Sequence, residues 1–253
     1  WILITPKKIF YSLIAILISI PTIISIFAFN FPDKIKLKKE PGNFRIVTWN
    51  VNLMNYSAKD YETAVMENEK IFSTLYNLNA DVICLQEFFT AVIPYKTYNF
   101  IDYVRNYMGY PYYYFSRDYP KFERKFFSGT IIFSRHKIVD SSRILFPSPI
   151  EGSIIKTGIL YYNDTIDIVS THLQNINFGR DEDKAIKDSS LALQETPSFI
   201  TKLKYGYEDQ VKQVTTVQKI LDASSNPLIF TGDLNDLPTS YSYNNIKRNM
   251  KDA

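Results

Sequence analysis

Cysteine is almost missing from this sequence. Cys84 stands alone, which excludes an internal disulfide framework and any zinc site built from several thiolates. Its apolar neighbours place it in a core. Histidine is nearly as scarce: His136 and His172 are the only two, so chemistry here leans on carboxylates and amides. No strong charge imbalance exists either. A formal net charge of +3 is too mild to imply nucleic acid from bulk electrostatics. Internal repeats and low-complexity tracts are absent. The 253 residues suffice for one sizeable domain with its own core. The chain begins on Trp1 rather than methionine, and Lys251-Asp252-Ala253 follows a polar segment without a stop signal. The expectation is therefore a piece of a longer protein.

Charge is missing from one long stretch. Residues 9–29 carry no charged side chain over 21 positions, enough for a helix to span a hydrocarbon core of roughly 30 Å. Pro21 would kink such a helix. The competing reading is a cleaved signal peptide, but its apolar part is about 7–15 residues and ends on small residues. A transmembrane helix over 9–29, after a flank of residues 1–8, is the expectation. Lysines flank both ends, Lys7 and Lys8 before and Lys34, Lys36, Lys38 and Lys39 after, so orientation is undecided. Residues 30–43 read as a polar, proline-punctuated linker.

From Phe44 the pattern is that of a soluble mixed domain. Residues 44–50 are rich in β-branched and aromatic side chains, as a strand should be, and end on Asn50. Tyr61, Val65, Phe72 and Tyr76 recur at helical spacing, with Asp60 available as a cap. Residues 81–87 form a short apolar run ending on Glu87. Residues 130–134 and 153–162 are further strands. An Asn163-Asp164 turn leads into a period-two strand that ends on His172. A helix over 207–222 precedes residues 227–238, an apolar run that finishes on Asp233, Asn235 and Asp236.

Four strands thus end on Asn50, Glu87, His172 and the pair Asp233 with Asn235. A rim crowded with carboxylates, amides and one imidazole calls for a cation to relieve its repulsion. Hard oxygen donors with a single imidazole favour Mg²⁺ or Mn²⁺ over zinc. Such a rim suits hydrolysis of phosphate esters. Taken singly, Asn50 and the Asp233–Asp236 turn also fit ordinary Asx-turns. His136, between Arg135 and Lys137, reads as a solvated loop residue, as does the charged run 179–184.

Five segments resemble, in order, the motifs of the endonuclease/exonuclease/phosphatase superfamily. They are Thr-Trp-Asn-Val-Asn (48–52), Ala-Asp-Val-Ile-Cys-Leu-Gln-Glu (80–87), Ser-Gly-Thr-Ile-Ile-Phe-Ser-Arg (128–135), Ser-Thr-His-Leu-Gln (170–174) and Thr-Gly-Asp-Leu-Asn-Asp-Leu-Pro (231–238). The resemblance covers residues 44–253. It implies an α/β four-layer sandwich of two packed mixed β-sheets flanked by helices, here preceded by the transmembrane helix. It implies a metal at Glu87 and Asn50, with Mg²⁺ (or Mn²⁺) as cofactor. His172 would contact the scissile phosphate, Asp233 would position or activate water, and Asn235 would stabilise the transition state. Asn52 and Arg124 are assigned to substrate binding. The family's closing Asp-His pair does not occur in the sequence, which agrees with a C-terminally incomplete domain; the alternative is a chain that has lost this imidazole. Gln210 stands where arginine is expected, with Gln213 still present.

The substrate is less defined. Residues 109–127 interleave aromatics with Arg117, Lys121, Arg124 and Lys125. That composition suits stacking of single-stranded bases, a lipid interface, or simply a packed hairpin. Asp236-Leu237-Pro238 replaces the aromatic and arginine of a 5-phosphatase, and an anchored enzyme is a poor chromosomal repair nuclease. The expected partners are a phosphate-ester substrate, in nucleic acid or a phospholipid headgroup, and a membrane through residues 9–29. A sphingomyelinase-like phospholipase and a non-catalytic tethered binding module are the alternatives.

Overall fold

The computed structural model describes residues 6–26, 39–40, 42–92, 98–175 and 196–252, with side chains from 9–21 and 204 onward within the first and last of these segments. The expected loop over 179–184 and most of the linker lie outside the described residues. The chain divides into two compact units, Lys36–Asn235 and a second formed by Trp1–Ile35 with Asp236–Ala253.

The larger unit is built on two mixed sheets. The first has the order β1 (Ile46–Asn50), β2 (Val82–Ala91), β5 (Phe126–Ser134), β3 (Tyr112–Phe115), with β4 (Tyr119–Lys121) also on β5. The second has the order β6 (Ile138–Leu145), β7 (Ser153–Tyr161), β8 (Asp164–His172), β9 (Leu228–Asp233). Strands β1 and β2 are parallel, as are β8 and β9, while the remaining pairs are antiparallel. Near-continuous apolar runs in β2 and β5 follow from burial on both faces. Between the sheets, Val82, Cys84 and Ile132 pack with Ile155, Ile159 and Ile168. Burial pushes the Cys84 thiol up to about 12, so it is an inert core residue as expected.

On the outer face of the first sheet, Ile83, Leu85, Phe88, Phe89 and Phe133 form a second core with residues of α2 (Tyr61–Leu78) and α3 (Phe100–Tyr107). Helix α2 starts where the sequence placed it, because the Asp60 side chain accepts from Thr63 N at 2.8 Å. Helix α4 spans Thr196–Asp222, longer than the 207–222 expected, with Val214 and Val217 buried. The two-sheet α/β architecture with flanking helices agrees with the expectation. Strand β6 and helix α3 were not anticipated. In β6 the burial alternates around mostly exposed polar residues, as on a sheet edge, which weakens the apolar signal.

In the smaller unit, α1 runs from Pro6 to Ile26 and continues through Pro21. The helical part of the expectation for 9–29 is met, while residues 27–29 lie outside the described residues. Among the described residues no helix is long and apolar enough to cross a membrane. A short helix, α5 (Tyr241–Lys247), is capped by the Ser240 hydroxyl, which accepts from Tyr243 N at 3.2 Å.

Candidate active site

The polar cluster forms where the parallel strands end. In the first sheet Asn50 pairs with Gln86, and in the second His172 pairs with Asp233, so both parallel pairs deliver their last residues to one rim. Glu87 is placed differently from the expectation. Strand β2 does not stop there but runs on to Ala91, and Glu87 sits at a bulge between Leu85 and Phe88 with φ of 52°. The bulge lets one residue leave the ladder and turn its carboxylate into the rim.

Asn50 ties the cluster together. Its Nδ2 donates to Glu87 Oε1 and to Asp233 Oδ2, both at 2.9 Å, and its Oδ1 accepts from Asn52 N at 3.0 Å. The amide therefore stands between two carboxylates that would otherwise face each other. Asp233 Oδ1 accepts from Asn235 N at 2.9 Å. Asn235 Nδ2 donates to Leu173 O at 2.8 Å and lies 2.8 Å from His172 Nε2, to which it donates when that nitrogen carries no proton. His172 Nε2 is 3.7 Å from Glu87 Oε1, too long for a hydrogen bond and an ion-pair contact only with the imidazole protonated. Asn50, Glu87, His172, Asp233 and Asn235 are thus brought together.

The other two candidates fare differently. Asn52 reaches the cluster through its backbone, while its side chain is exposed. Arg124 stands exposed in the turn between β4 and β5, beyond the Ala91–Phe126 pair. Four residues of strand separate Ala91 from Glu87, about 13 Å, so the structure does not bring Arg124 to the cluster.

The local backbone is under strain. Asn52, Leu53, Met54 and Asn55 all have φ between 45° and 53°, a left-handed turn that costs non-glycine residues about 1–2 kcal/mol each. Buried Asn68 of α2 holds it, donating to Met54 O at 2.9 Å and accepting from Asn55 Nδ2 at 3.2 Å. Strain of this kind persists where surrounding contacts over-determine it. A glycine is needed next to Asp233, because a Cβ on Gly232 would lie 2.5 Å from Thr171 O. That close approach seats Asp233 beside His172.

Several residues support the rim, of which Gln86 and Tyr119 escaped sequence reasoning. Buried Gln86 donates to Thr48 Oγ1 at 3.1 Å and to Ser170 Oγ at 3.2 Å, a polar bridge between the sheets just behind the rim. Gln210 donates to Leu234 O, and Gln213 accepts from Gln174 N, both at 3.3 Å. The two glutamines of α4 therefore brace the loops that follow β9 and β8. Tyr119 is pushed up to about 12 by burial, then by the charges of Asp118, Glu151 and Glu87. It stays a neutral O–H donor beside the acidic rim. Its position in the short strand β4 gave no signal in the sequence.

The donor set tests the expected cation. Glu87 and Asp233 each turn one oxygen to the Asn50 amide nitrogen, the Asn235 amide lies close by, and there is one imidazole. Oxygen-rich donors of this kind suit Mg²⁺, which commonly keeps waters and takes one or two carboxylates plus substrate oxygens. Among the described residues no group of three or more His, Cys, Asp or Glu side chains is arranged to hold a metal ion.

A two-sheet sandwich with carboxylates, amides and one imidazole gathered where its parallel strands end defines the class of this domain. The sequence profile described as Endonuclease/Exonuclease/phosphatase family matches residues 47–253, and the chain belongs to that family. Solved structures share its fold. Sphingomyelinase C from Streptomyces griseocarneus is 18% identical with a TM-score of 0.55, covering 81% of this chain and 68% of its own. The human Nocturnin catalytic domain with bound sulfate is 17% identical, with a TM-score of 0.52 and coverages of 81% and 69%. D. rerio TDP2 complexed with single strand DNA product is 18% identical, with a TM-score of 0.51 and coverages of 80% and 64%. The chain spans less than two thirds of the TDP2 chains it matches. No curated protein matches it.

Proposed function

We propose that this protein hydrolyses phosphate esters, most simply phosphodiesters, by attack of water on phosphorus at the Asn50–Glu87–His172–Asp233–Asn235 rim. The observation that carries the reading is the convergence of two carboxylates on one Asn50 amide nitrogen in a chain of this family. Glu87, with Asn50 beside it, would hold Mg²⁺ (or Mn²⁺), and the Asp233 carboxylate across the Asn50 amide adds negative charge that favours the cation. When bound, the cation supplies positive charge against the phosphate and the departing oxygen. Asp233, fixed through both oxygens by Asn50 and Asn235, orients the attacking water and accepts its proton. With Nε2 protonated, His172 would donate to the non-bridging oxygens, and the Asn235 amide hydrogen released from that nitrogen would do the same, so that both stabilise the charge that develops there. Tyr119 adds a neutral donor. Asn52 and Arg124 are the proposed outlying substrate contacts.

The protein is further proposed to be tethered to a membrane through residues 9–29. Support comes from their 21 uncharged positions and from the apolar side chains of α1, exposed at each described position from Ile9 to Pro21. Nucleic acid and phospholipid headgroups remain the two substrate classes, and a tethered binding module without turnover is the alternative to both. The test is an assay of the full chain on a diester, DNA and phospholipid panel, with Mg²⁺ and with chelator. Glu87→Gln and Asp233→Asn should each lower the rate by about 10²-fold or more with little loss of folding. Wild-type turnover in either variant would remove the assignment.

A further inference from the structure

Within the larger unit, a cleft of 510 Å³ opens between β4 and the β6–β7 turn. Buried Phe146 and Ile150 give it an apolar lining, and Tyr119, Lys121, Arg143 and Glu151 give it a polar one. None of the five rim residues lines it, yet it lies next to them. In the first sheet Tyr119 pairs with Ser128 and Ser128 with Phe89, two residues past Glu87. In the second, Ile154 pairs with Thr171, which sets Ser153 and His172 side by side at the strand ends, and Thr171 Oγ1 donates to Ser153 O at 3.1 Å.

Arg143 is the fixed charge of this cleft. Asp118, between β3 and β4, has a side chain only 4% exposed, and both its oxygens are bonded within the protein. Its Oδ1 accepts from Arg143 Nε at 3.1 Å, Arg143 Nη2 at 2.8 Å and Ser153 Oγ at 2.6 Å, and its Oδ2 from Ser116 Oγ at 2.6 Å. Arg143 Nε also donates to Ser153 Oγ at 3.2 Å. A carboxylate so saturated has little left for a ligand, and its effect is to hold the guanidinium across the two sheets. These bonds engage the Nε–Nη2 edge of the fork. Nη1 has no hydrogen-bond partner among the described residues, and the side chain stays 34% exposed where it lines the cleft. A planar fork with one edge locked by a carboxylate and the other open suits a phosphate held by two parallel bonds. Lys121 and Glu151 are both exposed and offset each other, so the open edge of Arg143 decides which sign of charge the cleft prefers.

Resting on the hydrolase reading above, we infer that Arg143 binds a second phosphate of the substrate, next to the one that is cleaved, and that Asp118 is the positioning residue that orients it. The preferred substrate is then a diester carrying an adjacent phosphate. The carbon skeleton between the two phosphates rests against Phe146, Ile150 and exposed Leu145. A phosphocholine ester is disfavoured, because its quaternary ammonium would meet a guanidinium of like charge.

Affinity ratios test this without turnover. The full chain, in chelator, is titrated by calorimetry with the dithymidine diester bare, with a 5′-terminal phosphate and with a 3′-terminal phosphate, and with glycerophosphoinositol with and without a 4-phosphate. The wild type should bind a phosphate-bearing member about tenfold or more tightly than its bare parent, as a charge-assisted bidentate contact requires. The series with the larger ratio tells a polynucleotide from an inositol headgroup. Arg143→Gln should bring the ratio near one, and Arg143→Lys, which keeps the ion pair with Asp118 and loses the fork, should fall between. No preference in the wild type would overturn the inference. So would affinities that fall equally for both members in Arg143→Gln, which is the mark of a purely structural clasp, or an undiminished ratio in Arg143→Lys. Diester hydrolysis with Mg²⁺ by a wild type without the preference would leave the hydrolase reading standing. A preference without hydrolysis of any diester would remove that reading and keep the anion site.

Discussion

Strand β2 begins beside one carboxylate and carries another in its middle, and the two have opposite fates. Asp81, immediately before the strand, has a side chain only 5% exposed. It accepts from Arg45 N at 2.6 Å and Lys39 Nζ at 2.5 Å, and meets His136 Nε2 at 3.0 Å. Glu87, six residues later, is 29% exposed, shares one Asn50 amide with Asp233, and has its histidine 3.7 Å away. Both groups combine a carboxylate with an imidazole. At Asp81 the charge is answered from within the protein, so the group is a structural clasp. At Glu87 two like charges are answered by one neutral amide, so the group calls for a cation from outside.

Exchanging the acids should separate the two roles. Glu87→Gln and Asp233→Asn remove like-charge repulsion, so they lose turnover while holding or gaining thermal stability. Asp81→Asn should do the reverse. It leaves Lys39 with a weaker partner and costs about 2–3 kcal/mol in denaturant unfolding, with the hydrolytic rate unchanged. A loss of stability in Glu87→Gln as large as that in Asp81→Asn would erase the distinction.

A glycine offers a second contrast. Gly232→Ala forces a methyl against Thr171 O, and overpacking of this kind costs about 1–3 kcal/mol. Because the strain falls between His172 and Asp233, the rate should drop more than stability alone explains. Unaltered kinetics in a folded Gly232→Ala protein would show that the β8–β9 spacing does not position Asp233.

The smallest effect is on pH. Burial raises the Asp81 carboxyl, but the bonds from Arg45 N, Lys39 and His136 outweigh it and hold the group below its ordinary value of 3.8. A lowered folded value means that its stabilisation is complete above 3.8 and is lost as pH falls through the folded value. The stability gap between wild type and Asp81→Asn should therefore close in acid, below about 3.8, and stay constant above it. A gap that narrows near neutral pH would assign the clasp to another group.

Much of this was legible because strand ends are written in residue type. Asn50, His172 and Asp233 each close an apolar run, and parallel pairing brings such ends together. Glu87 was found for the same reason, although its strand continues. The bulge that frees it depends on register with β5, which one strand alone does not reveal. His136 was read as a solvated loop residue from its basic neighbours. The structure corrects this: it is bonded to Asp81 and set edge-on to Tyr161 at 5.1 Å, contacts between distant segments. Gln86 and Asn68 were missed because a polar residue buried by tertiary contacts looks like any other in sequence. Arg124 was proposed from composition, and the length of β2 places it away from the cluster.

The most direct test of the cation claim needs no substrate. A ligand that binds only the folded protein stabilises it by about 2.7 kcal/mol at a hundred times its dissociation constant. Thermal unfolding of the chelator-stripped full chain should shift upward as Mg²⁺ is added, and Glu87→Gln should abolish the shift while Asp81→Asn retains it. A Mg²⁺-dependent shift that survives in Glu87→Gln, or none in the wild type, would contradict the assignment of the Glu87–Asp233 rim as the metal site.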